Sequence, residues 1–412
     1  MRVLALANSS PYPPTGGGRM RAHHLIAGLL DAGHEVVVVA LPQDADHEAP
    51  DRPRLTVLGA AVRRRTGWRR WSALVSPYPE EVWARPPSAL HSLDLGIHAL
   101  DVVLSFDSRS SRPALHLREK GIPTVIDEFN VEFRLARDIA ATAPTARGRI
   151  RGRIDSLKTR AFEASALRRC DLVTSVSDDD ARVLRTLAAP TPVEVHPSGA
   201  DVAGITAVDH RKNRGDRLVL TGTLGYLPNI DAARYLGAEI LPHVRAVRPS
   251  VRAHLVGQVD DPVRAMIVAD GVDVIGWVPD VLPHLADGDL FVAPLRVGGG
   301  TRLKILEAFA AGLPVVATTK AVEGLEVENG VHALLADDAA GLARAILALM
   351  DDEDGRERLA LAARRLVEEK YDWRRIGAKF AESVERVAKG GIADHRDSTG
   401  ALPGLDQTGR QS

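Results

Sequence analysis

Residues 294–318 read PLRVGGGTRLKILEAFAAGLPVVAT, and within them Gly298, Gly299, Gly300, Thr301, Arg302, Lys304 and Glu307 have the types and spacing to do chemistry. The preceding DLFVAPL has the length and composition of a buried strand, and helical spacing begins near Thr301. Glycines at such a junction let the backbone approach a ligand closely and leave amides unpaired. The helix start adds partial positive charge, so the loop suits an anion. Arg302 and Lys304 put two full cations in the first turn, where a bare helix N-terminus disfavours them. A bound diphosphate would offset that cost. Glu307 follows Lys304 by three residues on the same helical face, where a carboxylate can accept both hydroxyls of a ribose. The alternative is an ordinary loop followed by a solvated Lys304–Glu307 pair, because a glycine cluster alone is a weak signal.

The elements that must hold these residues follow from hydrophobic periodicity. Strand-length apolar runs alternate with helical segments in both halves of the chain, the pattern of helices covering both faces of a parallel sheet. In the first half the runs are 2–8, 34–41, 101–106, 123–129, 171–177 and 192–197, with a helix expected over 19–32 and another from about Ser110. In the second half they are 218–222, 252–257, 273–276, 289–295, 313–318 and 331–336, followed by helical segments over 339–389. The expected division is a first domain over 1–200, a linker over 201–216, a second domain over 217–371, a helix over 372–389 that returns to the first domain, and a disordered tail over 390–412. In open parallel sheets ligands collect beyond the carboxyl ends of the strands, so two facing sheets suit a group transfer between two molecules.

Composition removes several alternatives. A chain of 412 residues exceeds one ordinary core, and 45% hydrophobic with 4% aromatic residues describes globular cores built from Ala, Val, Leu and Ile. Lys and Arg (53) balance Asp and Glu (54), so no global field recruits nucleic acid. Cys170 is the only cysteine, which excludes an internal disulfide or a cysteine metal cage and reads as a small buried side chain. The N-terminal apolar run is too short for a secretory core, and no run reaches membrane-spanning length. The expectation is a cytoplasmic protein, with membrane association as the alternative.

The run GGGTRLKILEAFAAGLPVVAT, continued by AVEGLEVENGVHALLADD, resembles the donor-site signature of retaining glycosyltransferases of family 4, which have the GT-B fold. SPYPPTGGGRMRAHHLIAGLLDAGHEVVVV, HPSGAD (196–201), LTGTLGYLPNIDAARYLGAEILP and GWVPD resemble further segments of that family in the same order, up to about residue 389. The resemblance implies two doubly wound, Rossmann-like parallel-sheet domains facing across a cleft. It also implies transfer of a sugar from a nucleoside diphosphate sugar to an acceptor hydroxyl, with no cofactor and no metal. Glu307 is then the ribose ligand, while the amides of Gly298, Gly299, Gly300 and Thr301 surround the donor's sugar and phosphates. Gly222 joins them after the first strand of the donor domain. Trp277 and Val278, within 276–280, border the base. Gly16, Gly17 and Gly18 approach the phosphates or the acceptor from across the cleft, with Arg19 beside them. The alternative is a flexible loop in which Arg19 and Arg21 are solvated, and His23 and His24 read as packing or surface residues.

Two departures from the family matter. Many relatives carry a second glutamate, contacting the donor sugar, where this chain has Gly299. Many also place an Arg and a Lys in the loop that here reads GTLGYLPNID, so Arg302 and Lys304 are expected to neutralise the diphosphate instead. Near two strand ends of the first domain, where relatives often have histidine, stand Asp107 and Asp127. Asp127 is favoured as the group that orients or deprotonates the acceptor, with Asn130 and Glu132 as acceptor contacts. Asp107 is either functional or a helix cap. Rival readings are a nucleotide-sugar epimerase of the same architecture, a silent nucleotide-sugar-binding partner protein, and a dinucleotide oxidoreductase. The last lacks a compact GxGxxG after its first strand.

Residues 147–169, RGRIRGRIDSLKTRAFEASALRR, carry seven arginines and one lysine against Asp155 and Glu163. Ile150, Ile154, Leu157, Ala161 and Ala164 follow helical spacing, so the expectation is a helix docked by its apolar side with a solvated basic face. The alternative is contact with an anionic acceptor or membrane surface. RRRTGWRRW (63–71) is a second basic patch.

Overall fold

The computed structural model describes residues 1–41, 50–59, 79, 82, 87–90, 97–141, 145–207, 216–300 and 302–390. Thr301, the basic stretch 63–71, the linker's 208–215 and the tail from 391 lie outside the described residues.

Valine-rich and alanine-rich runs form the strands because their side chains fill both faces of a sheet covered by helices. Val3, Leu4, Ala5 and Leu6 are all fully buried. The first sheet comprises β1 (Arg2–Ala7), β2 (Glu35–Ala40), β3 (Leu55–Gly59), β4 (Val102–Phe106), β5 (Thr124–Glu128), β6 (Leu172–Ser175) and β7 (Val193–Val195). It is parallel, in the order β3-β2-β1-β4-β5-β6-β7. The second comprises β8 (Arg217–Thr221), β9 (Arg252–Val256), β10 (Val272–Gly276), β11 (Leu290–Ala293), β12 (Val315–Ala317) and β13 (Leu334–Leu335). It too is parallel, in the order β10-β9-β8-β11-β12-β13. Strand β3 was not anticipated from the sequence. It lies at the sheet edge with alternating exposure and lacks the continuous apolar run that marks its neighbours.

The helices of the first half are α1 (Gly17–Asp31), α2 (Ser111–Arg118), α3 (Glu132–Ala141), α4 (Ala146–Leu167) and α5 (Asp178–Ala188). Those of the second are α6 (Leu227–Tyr235), α7 (Leu241–Val247), α8 (Asp261–Ile267), α9 (Leu282–Ala286), α10 (Leu303–Ala310), α11 (Ala339–Asp351), α12 (Glu353–Lys370) and α13 (Trp373–Ala388). Strand order reverses between β1 and β4 and again between β8 and β11. Connections diverge at such a switch point and leave a crevice at the strands' carboxyl ends. The glycine loops after β8 and β11 flank the second crevice.

Helix α13 belongs to the other half's core. Trp373, Ile376, Phe380, Val384 and Val387 are buried with Leu25, Leu29, Val36 and Leu104 of the first domain. A side chain at Gly28 of α1 would meet the Gly377 backbone at 2.5 Å, so the two helices cross almost in backbone contact.

Helix α4 corrects an expectation. Ile150, Ile154 and Leu157 face solvent, at 60%, 51% and 66% exposure, while Ser156, Thr159, Glu163, Ala166 and Leu167 are buried. Small residues make the packing face. A side chain at Gly152 would collide with Ala140 of α3, and the Ser156 hydroxyl donates to the Phe133 carbonyl at 2.8 Å. Close approach of two helices through small side chains outweighs burial of the isoleucines, which stay exposed.

Candidate active site

At the end of β8, Gly222 has φ 142°, and a Cβ there would stand 2.6 Å from the Lys304 Nζ and 3.0 Å from the Asn229 Nδ2. The position must be bare because the Lys304 ammonium lies across it. Lys304 Nζ donates to Asn229 Oδ1 at 2.6 Å, and Asn229 Nδ2 donates to the Thr223 carbonyl at 2.8 Å. Asn229 therefore fixes the cation over the β8 loop. Burial, with Arg302 close by, lowers Lys304 to about 7. One turn along α10, burial raises Glu307 while Lys304 opposes the rise. The Glu307 carboxylate has no hydrogen-bond partner among the described residues, so the solvated Lys304–Glu307 surface pair is not what forms.

Arg302 precedes the first residue of α10 and is 8% exposed. Its Nη1 donates to the Gly299 carbonyl, but Nε and Nη2 are buried without an acceptor among the described residues. A buried guanidinium edge left unsatisfied is costly, and oxyanions are its natural partners. Gly298, at φ 117°, and Gly300, at φ 71°, turn the chain just before it. Trp277 is 65% exposed and Val278 half-buried in the loop after β10, at the crevice's outer end.

The first domain closes directly on this loop. A Cβ at Gly300 would be 2.6 Å from Asn130 Oδ1 and 2.9 Å from the Phe129 carbonyl, and one at Gly299 would be 3.5 Å from Asn130 Oδ1. A Cβ at Gly18 would touch the Phe129 ring at 3.2 Å, and one at Gly17 would meet Leu303 at 3.9 Å. Gly16, at φ 84°, precedes α1, and Arg19 Nε donates to Ser9 Oγ at 3.2 Å. The two glycine loops thus face each other, with Phe129 between them and Asn130 against the second. Asn130, Arg134, Asp138, Asp180, Lys320 and Glu323 also line a polar pocket beside Gly298–Gly300.

Other expected residues are occupied elsewhere. Asp127 is fully buried and holds Arg21 through Nε at 2.8 Å and Nη2 at 2.6 Å, while Thr174 Oγ1 donates to it at 2.6 Å. Arg21, 1% exposed rather than solvated, also donates from Nη1 to the Pro197 carbonyl at 3.1 Å. The carboxylate expected to take an acceptor proton instead ties α1, β5 and the interdomain segment together. Asp107 resolves toward the cap: its Oδ1 accepts from the Arg109 amide at 2.8 Å, and its Oδ2 pairs with the Arg109 guanidinium at 2.8 Å. Glu132 is 5% exposed, with its carboxylate 3.6 Å from Arg109, so it lies beneath the cleft surface and not on it. His24 stacks on Trp373 with ring centroids 4.8 Å apart, a packing role. Sequence reading missed Asn229 and the buried Glu128. The first sits in an unremarkable PNID, and the second in a strand whose side chains alternate between faces.

Two facing α/β domains, each with a glycine loop beyond its strand ends, define the GT-B fold. Residues 16–199 match the glycosyl transferase 4-like domain family, and residues 215–352 match the glycosyl transferases group 1 family. The chain is therefore a glycosyltransferase of the GT-B architecture. It is 25% identical over 428 aligned residues to a glycogen synthase of Mycobacterium tuberculosis, spanning 95% of this chain and 96% of that one. Among solved structures, sucrose-phosphate synthase from Thermosynechococcus elongatus superposes with a TM-score of 0.73 at 19% identity, over 95% of this chain and 100% of that one. HepE of Anabaena, in complex with UDP and glucose, superposes at 0.64 with 16% identity, over 93% of this chain and 99% of that one.

Proposed function

We propose that the protein transfers a sugar, with retention, from a nucleoside diphosphate sugar bound in the second domain to an acceptor hydroxyl presented by the first. The observation that carries this reading is the Arg302 guanidinium, buried with Nε and Nη2 lacking an acceptor among the described residues, beside Lys304 and Glu307 at the ends of β8 and β11. A diphosphate would accept from both cations, Glu307 would hold the ribose hydroxyls, and the backbone of 276–280 would border the base. The complex of HepE with UDP and glucose supports the ligand class.

The bond from the sugar's anomeric carbon to the β-phosphate oxygen breaks, and its electrons stay with the departing diphosphate. Arg302 and Lys304 stabilise that charge in place of a metal ion. The acceptor oxygen bonds to the same face of the sugar, and its proton passes to the leaving phosphate. No protein nucleophile is required, so the occupied state of Asp127 is no obstacle. Meshing of Gly300 with Asn130 excludes water from the reacting atoms. Peripheral membrane contact through residues 147–169 completes this reading. Gly299, which offers the donor sugar no side chain, favours one rival: a silent protein that binds nucleotide without turnover.

Calorimetry with UDP, GDP, TDP, ADP and NAD tests the donor site. One nucleoside diphosphate should bind selectively, without added metal, and weaken by at least about tenfold in Glu307→Ala and in Arg302→Ala. Binding of NAD alone, or binding indifferent to both substitutions, would refute the assignment. Turnover of the matching nucleotide sugar with release of the diphosphate separates transferase from silent partner.

A further inference from the structure

Helix α4 presents a surface that the transfer reaction does not use. At about 100° per residue, Ile150, Ile154, Leu157 and Ala161 fall within about 60° of one another around the helix, and Arg147 and Arg153 stand about 60° from Ile150 on either side. All six are exposed. Of the helix's two acidic residues, Glu163 is turned inward, where its two oxygens accept from the Glu132 and Phe133 amides at 3.0 and 3.2 Å, and exposed Asp155 stands about 140° around the helix from Ile150. The outer face therefore combines large aliphatic side chains with a cationic rim.

We infer that the outward face of α4, centred on Ile150, Ile154 and Leu157, docks on a bilayer containing anionic phospholipid. Two kinds of chemical complementarity coincide on this face. A polyanion in water, such as a nucleic acid or an acidic polysaccharide, would pair with the arginines but leave the aliphatic stripe wet. A second copy would cover the stripe but bring two strongly cationic helices side by side. At a lipid interface the aliphatic groups enter the acyl boundary while arginines reach the headgroup phosphates. The inference deepens the membrane contact of the proposed function and is independent of the donor site.

The test is co-sedimentation of the full chain with vesicles of phosphatidylcholine alone or mixed with phosphatidylglycerol, at low and high salt. Wild type should bind the mixed vesicles, less so at high salt, and not the neutral ones. The Ile150→Ser/Ile154→Ser/Leu157→Ser variant should bind more than about tenfold more weakly, and Arg147→Ala/Arg153→Ala should lose the salt dependence in part. Both variants should keep wild-type melting temperature and nucleoside diphosphate affinity, since these side chains touch neither core nor cleft. Failure of wild type to bind mixed vesicles, or equal binding by the triple variant, would overturn the inference. So would a wild-type dimer in analytical ultracentrifugation that the triple variant dissolves. Vesicle binding that survives when no nucleotide binds would leave the docking face standing and remove the donor reading.

Discussion

Lys304 is held where its charge is conditional. Burial and the nearby Arg302 bring it to about 7, and Asn229 is the acceptor that keeps the ammonium over Gly222. A diphosphate binds the charged form, so affinity should fall as pH rises through about 7, approaching tenfold per pH unit above it. Calorimetry at about pH 6 and about pH 8 reads this directly. Lys304→Met should give weak binding that does not vary with pH, and Asn229→Ala, which strips the ammonium of its acceptor, should move the inflection lower. Pure loss of fold in Asn229→Ala would weaken binding equally at both pH values. The stability sign is opposite to that of a paired lysine. The folded value lies below the unfolded one, so the unfolded chain binds more protons between about 7 and about 10.5, and stability rises with pH across that window. Removing the charge in Lys304→Met should therefore raise the melting temperature of the ligand-free protein near neutral pH. A cation buried to meet an anionic ligand has this property, and a lysine paired within the fold does not.

At the scale of elements, the end of β5 and the start of α3 bury a carboxylate cluster. Glu128 is fully buried, and burial, reinforced by Glu163, Asp107 and Glu132 and opposed by a Ser108 hydrogen bond, raises it well above the ordinary range. Glu163 is raised to about 7, chiefly by burial. Groups raised in the folded state stabilise most at low pH, and that contribution is lost as pH rises through their folded values. Glu128→Gln should accordingly stabilise the protein by roughly 1 to 3 kcal/mol at about pH 8 and by little at about pH 5, read as melting temperature against pH. A uniform loss at both pH values would mean that the carboxyl group is needed as such. The same elements show what a sequence discloses. Every strand but β3 was legible because burial on two faces demands continuous apolar runs, and the turn at Gly298–Gly300 because glycines and cations share one stretch. Helix α4 was legible as a helix but not in its orientation, since Ile150 and Ile154 mimic a core stripe while Gly152 and Ser156 do the packing. Asp127 looked chemical because a strand end is where chemistry gathers. Its partner Arg21 lies 106 positions away, a distance that no local pattern spans.

The whole molecule is two cores joined by a double crossing. Where the chain first passes between domains, the Ala200 amide donates to the Tyr371 carbonyl at 2.8 Å, and on the return the Trp373 amide donates to the Ala200 carbonyl at 3.2 Å. The two crossings lie side by side as a short ladder, so the domains share one narrow hinge. Beyond it, α13 completes the first domain's core, and Trp373, 4% exposed, stacks on His24 of α1. The second domain's helices are followed in sequence by a helix that the first domain cannot lack, which couples their stabilities. Trp373→Ala leaves a cavity and an unstacked His24 in the first domain alone, at a cost of about 3 to 5 kcal/mol. Differential scanning calorimetry should then show the wild-type endotherm split, with the first domain melting earlier. A saturating nucleoside diphosphate should raise only the later transition, because Arg302, Lys304 and Glu307 all belong to the second domain. If the ligand shifts both transitions of the variant equally, closure across Gly300 and Asn130 contributes as much to binding as the second domain's own groups. If it shifts the earlier one alone, the donor lies in the other crevice.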